Sequence, residues 1–154
     1  MLPNTQYKFK TGRTPGKLRY KPHTIPVIKP GSLEPPPGLI QGTQAKSKEE
    51  WRVALALGKL QIAFEYQYQI FGGYGIRGGQ IIDFLAYTVP LITPIYVLGE
   101  YWHKTRQSEG ELKLLMEQVK MYFNGQANDP VGIWDYDLQT AEQAFQTVRK
   151  ELRL

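Results

Sequence analysis

The chain has 154 residues, 42% of them hydrophobic, which suffices for one core of ordinary size and excludes a chain too polar to fold. No run approaches the roughly 18–20 consecutive apolar residues of a membrane span, and the start Met1-Leu2-Pro3-Asn4 has neither region of a signal peptide, so no membrane partner and no secretion are expected. Cysteine is absent, which excludes disulfides and cysteine-based zinc sites, and the net charge of +5 points to acidic partners.

That charge is unevenly placed. Up to Lys46 the bases Lys8, Lys10, Arg13, Lys17, Arg19, Lys21, Lys29 and Lys46 face only Glu34, whereas beyond Lys46 acids outnumber bases. The same stretch holds most of the prolines, including Pro35-Pro36-Pro37, and only scattered apolar residues. Fixed φ angles and missing N–H donors favour an extended, polyproline-like path over a packed layer. Residues 1–45 therefore read as a basic, Pro-rich N-terminal arm and residues 46–154 as the folded domain. Such an arm suits phosphates or acidic protein surfaces.

The domain opens at Ser47-Lys48-Glu49-Glu50, which has the Ser-x-x-Glu spacing of a capping box and predicts a helix start. Val53, Leu57, Leu60 and Phe64 continue it as one apolar stripe. Phe64 to Ile70 alternates apolar and polar residues as a half-buried strand does, and Gly72-Gly73-Tyr74-Gly75 breaks it. Gln80 to Leu85 predicts a second strand and Thr93 to Leu98 a third, ending at Gly99. Ser108 to Phe123 returns to helical spacing through Leu112, Leu115 and Val119, and Asn124-Gly125 stops it with residues that tolerate left-handed backbone. Val131 to Trp134 is a short fourth strand. Thr140 to Leu152 is a last helix, with Ala144, Val148 and Leu152 on one side. Helix, three strands, helix, strand, helix is an α/β arrangement around a mixed sheet.

Asp83 stands out because an acid within Ile81-Ile82-Asp83-Phe84 is costly unless paired, hydrogen-bonded or metal-bound. One strand later, Leu98-Gly99-Glu100-Tyr101-Trp102-His103 gathers an acid, aromatics and a histidine able to carry protons near neutral pH. The segment Gly72 to Gly79 could bring Arg77 and backbone close to phosphate. It lacks the Gly-Lys-Ser/Thr ending of a P-loop and reads instead as a mobile hairpin.

The segment from Ile95 to His103 resembles the signature of the very-short-patch repair (Vsr) endonucleases, an apolar strand followed by His, Gly, a variable residue, an aromatic, Trp and His, with Leu98 at the first of these positions. The resemblance places the family's metal-binding Asp on Asp83, its helical Glu on Glu50 and its late Trp-containing strand on Ile133-Trp134. It implies a restriction-endonuclease-like PD-(D/E)XK fold, a mixed sheet flanked by helices. It also implies Mg²⁺-dependent hydrolysis of DNA phosphodiesters, while the absence of cysteine is compatible with a cytoplasmic or virion-associated setting. Asp83, His103 and Glu50 would then be catalytic. Asp83, the Val97 carbonyl and Glu100 would hold the metal, and Trp102, Arg77, Lys104 and Arg106 would contact nucleic acid. The chain departs from the pattern where the family's first histidine becomes Leu98, and where Glu-x-Lys of the wider nuclease group becomes Tyr96 and Leu98. No zinc is expected. These departures motivate an alternative, a catalytically degenerate assembly protein whose arm runs along other protein subunits of a nucleoprotein particle such as a phage virion.

Overall fold

A computed structural model describes residues 34–73, 75, 77–103 and 106–154, apart from the side chains of Tyr101, His103, Arg106 and Gln107. A two-residue hairpin, β1 (Leu39–Ile40) and β2 (Thr43–Gln44), precedes helix α1 (Lys48–Lys59). Strands β3 (Phe64–Ile70), β4 (Gln80–Ala86) and β5 (Thr93–Leu98) follow, then α2 (Arg106–Phe123), β6 (Val131–Trp134) and α3 (Ala141–Glu151). The sheet order is β3-β4-β5-β6, antiparallel except for the parallel pair β5–β6. The protein is thus an α/β fold built on a mixed four-stranded sheet flanked by helices. No helix among the described residues is long and apolar enough to cross a membrane.

The element boundaries follow from local chemistry. Ser47 caps α1 by accepting the Glu50 N–H at 3.0 Å, and Thr140 caps α3 by accepting that of Gln143 at the same distance. Asn124 and Gly125, at φ 46° and 84°, end α2 in the left-handed region. The expected capping box is only half made. The Glu50 carboxylate turns away from the helix start and accepts the Tyr66 hydroxyl instead.

Two apolar layers cover the sheet. On one face, Phe64, Tyr66, Phe84, Ala86, Ile95 and Ile133 meet Trp51, Val53 and Leu57 of α1 and Ala144 and Val148 of α3. On the other, Tyr68, Ile70, Ile82, Leu85, Tyr96 and Leu98 meet Val119 and Phe123 of α2. The hairpin was not expected, because residues 34–45 lie in the stretch read as an arm. There Ile40 is fully buried in the first layer, Trp51 Nε1 donates to the Pro35 carbonyl at 3.2 Å, and Arg52 pairs with Glu34 at 3.2 Å. Its proline content is compatible with this packing because side chains donate to proline carbonyls, Trp51 to Pro35 and Gln44 to Pro37.

Gln41 anchors the hairpin to the sheet edge. Its carboxamide donates to the Phe64 carbonyl at 2.5 Å and accepts the Tyr66 N–H at 2.8 Å, as a neighbouring strand would.

Candidate functional site

The alternation of side chains along a strand has period two, so Phe64, Tyr66, Tyr68 and Ile70 should share one face. They do not: Phe64 and Tyr66 pack under α1, whereas Tyr68 and Ile70 pack under α2. The reversal occurs at Gln67, whose φ of 57° is left-handed within a strand. In β4 the same reversal separates Ile82 from Phe84, at Asp83. The β3–β4 ladder pairs Tyr66 with Phe84 and Tyr68 with Ile82 but skips Gln67 and Asp83, which stand opposite each other. On its other side, β4 pairs with β5 only from Phe84 to Ala86. The sheet therefore opens at Asp83, and polar side chains complete the bonding there.

Asp83 Oδ2 accepts the Val97 N–H at 2.8 Å, a donor that a continuous ladder would have given to a β4 carbonyl. Gln67 Nε2 donates to Glu50 Oε1 at 3.4 Å, and the Gln67 side chain lies near enough to the Asp83 carboxylate to favour its charged form. Tyr66 Oη donates to the same Glu50 oxygen at 2.5 Å while accepting the Lys46 N–H at 3.0 Å. Glu50 from α1, Gln67 from β3 and Asp83 from β4 thus converge. All three keep partial exposure.

The electrostatics follow from two carboxylates in one desolvated place. Burial, and then the nearby charge of Glu50, raise Asp83 from its ordinary 3.8 to about 7, against the lowering effect of the Val97 bond and the Gln67 side chain. Burial also raises Glu50, while the Tyr66 bond opposes it. The Tyr66 hydroxyl is raised by burial and by its bond to Glu50, so it stays a donor. Asp83 is consequently able to exchange a proton near neutrality. Two carboxylates are the kind of oxygen donor that a hard divalent cation such as Mg²⁺ prefers, and such a charge would favour the ionised form of both. Among the described residues no group of three or more His, Asp or Glu side chains is placed to share a metal.

The other expected site residues are distributed around this point. Val97 neighbours Asp83 as expected for adjacent strands, with its N–H as the bonded group. Glu100 is exposed on the short 3₁₀ turn Glu100–His103 that follows β5. Trp102 in that turn is half-buried against the α2 layer, and its carbonyl accepts the Ser108 hydroxyl at 3.2 Å. Arg77 is exposed on the β3–β4 hairpin. Lys104 and the side chains of His103 and Arg106 lie outside the described residues. Tyr96 and Leu98, which stand where Glu-x-Lys was sought, both point into the α2 layer, and Tyr96 Oη donates to Gln80 at 2.6 Å.

Sequence reasoning passed over Tyr66 and Gln67. The signal available for Gln67 was its distance from the centre of the glycine hairpin, which equals that of Asp83 once the register is known. Compared with known proteins, the chain matches no family model, no curated protein and no solved structure.

Proposed function

We propose that the chain is a metal-dependent DNA endonuclease of the restriction-like type, with Glu50 and Asp83 as its acidic pair. The observation that carries this reading is the meeting of those two carboxylates, from α1 and β4, at the point where the sheet opens. These are the positions that the Vsr resemblance assigns to the helical Glu and the metal-binding Asp. Glu50 and Asp83 would hold Mg²⁺, which when bound stabilises charge on the scissile phosphate. Glu50, raised by burial and oriented by Tyr66, would accept a proton from the attacking water. Asp83 is fixed by the Val97 N–H, which would leave its other oxygen for the metal. His103 is proposed to return a proton to the leaving oxygen, and the basic residues before α1 to raise affinity through phosphate contacts.

A second reading has one specific observation in its favour. With Tyr96 and Leu98 turned into the α2 layer, β5 supplies neither a second acid nor a lysine to the site. On that reading the fold serves assembly in a nucleoprotein particle and hydrolyses nothing. Incubating the purified protein with supercoiled plasmid and Mg²⁺ or Mn²⁺ separates the two. Nicking by the wild type that Asp83→Ala abolishes supports the enzyme, and an intact plasmid under both cations supports the assembly protein.

A further inference from the structure

We propose that residues 22–30 of the chain's own N-terminal arm add a fifth strand to the sheet, running parallel to β6 along its outer edge. The added segment lies outside the described residues, whereas the edge that receives it lies within them.

The first observation is the edge. β6 ends the sheet order β3-β4-β5-β6 and, among the described strands, pairs with β5 alone. Edge strands present rows of N–H and C=O groups that folded proteins cover, blunt or pair. The opposite edge is treated in that way, since Gln41 bonds β3 at Phe64 and Tyr66. Beside β6 there is instead a cleft of about 680 Å³, lined by Val131 and Gly132 of the strand, by Thr93 and Asn128, and by Lys150 and Arg153 at the C-terminal end of α3.

The second observation is where the arm joins the domain. Glu34 is held by Arg52, whose guanidinium also donates to the Leu138 carbonyl at 2.8 Å. Leu138 follows β6 through the short turn Asp135–Asp137, so the arm arrives near the C-terminal end of β6. The four steps from Pro30 to Glu34 reach about 13 Å when extended, enough to bring Pro30 to that end of the strand. A segment that finishes there and lies along β6 runs parallel to it, and its beginning falls beside the cleft.

The third observation is the spacing of proline. Pro22, Pro26 and Pro30 are each four residues apart. In an extended strand the N–H groups of alternate residues point to the same side, so all three missing donors fall on one edge. The other edge keeps the donors of His23, Ile25, Val27 and Lys29. Proline is admitted to edge strands on these terms, with its donorless side turned to solvent. Lys21, Ile25 and Lys29 precede prolines and are biased to extended backbone, and Thr24, Ile25, Val27 and Ile28 are β-branched.

Hydrogen exchange of the full chain, read residue by residue by NMR and corrected for intrinsic rates, tests this. The amides of His23, Ile25, Val27 and Lys29 are expected to exchange roughly tenfold or more slowly than those of Thr24 and Ile28. Val27→Pro removes a donor from the paired side and is expected to quicken exchange in β6 about tenfold, whereas Thr24→Pro removes one from the solvent side and leaves β6 as it was. Should Val27→Pro fail to fold, the alternation in the wild type still decides. Equal rates across residues 23–29, or equal effects of the two prolines on β6, overturn the proposal. Alternating protection that is lost on dilution, with a dimer seen by size-exclusion chromatography, puts the segment on a second copy and overturns the intramolecular assignment.

Discussion

Asp83 carries the clearest consequence at the scale of a single residue. Its proton is held to about pH 7 in the folded protein, against 3.8 for an ordinary aspartate. Between those values the folded state binds more protons than the unfolded chain, so stability falls as pH rises through this window and levels off above it. Asp83→Asn keeps an oxygen for the Val97 N–H and removes the charge. It is expected to stabilise the metal-free protein at pH 8 by on the order of 2–3 kcal/mol and to change little at pH 4. Urea denaturation at the two pH values measures the difference. An equal effect at both would mean that the desolvated charge is not what Asp83 costs the fold. Asp83 was legible in the sequence because an acid between Ile82 and Phe84 breaks an apolar run. Gln67 was not, since its meaning depends on a strand register and a backbone reversal that alternating Tyr and Gln residues conceal.

At the scale of elements, helix caps and turn residues were readable because each acts within three or four residues. Ser47, Thr140 and Asn124-Gly125 behave as their chemistry requires. The hairpin from Leu39 to Gln44 was missed, because its value to the fold is a contact across more than twenty residues. Gln41 bonds the backbone of β3 at Phe64 and Tyr66, next to the point where that strand reverses. Gln41→Ala leaves both groups without their partner and is expected to cost about 1–3 kcal/mol. Hydrogen exchange should then quicken at the Tyr66 amide more than at Ile133 in β6. Ile40→Ala removes a fully buried side chain from the α1 layer and is expected to cost roughly 2–5 kcal/mol in thermal or urea unfolding. An Ile40→Ala protein as stable as the wild type would place the hairpin outside the core.

For the whole molecule, the α/β class and the order of helices and strands followed from hydrophobic periodicity, because each buried face imposes its own repeat on the chain. What periodicity does not encode is the place where the sheet stops being regular. The reversal at Gln67 lies in a run whose residue types suit an unbroken strand, and at Asp83 the sequence shows a costly acid but not the change of face beside it. The chemistry proposed for the molecule sits at that irregularity, with Glu50 brought to it by α1. A cation held there binds the folded chain alone and must stabilise it by mass action. Thermal melting at pH 7 with and without millimolar Mg²⁺ therefore tests the central claim most directly. The wild type is expected to melt several degrees higher with the cation, and Asp83→Asn and Glu50→Gln to show no such rise. The same rise in all three proteins, or none in the wild type, would contradict the assignment of Glu50 and Asp83 as a metal-holding pair.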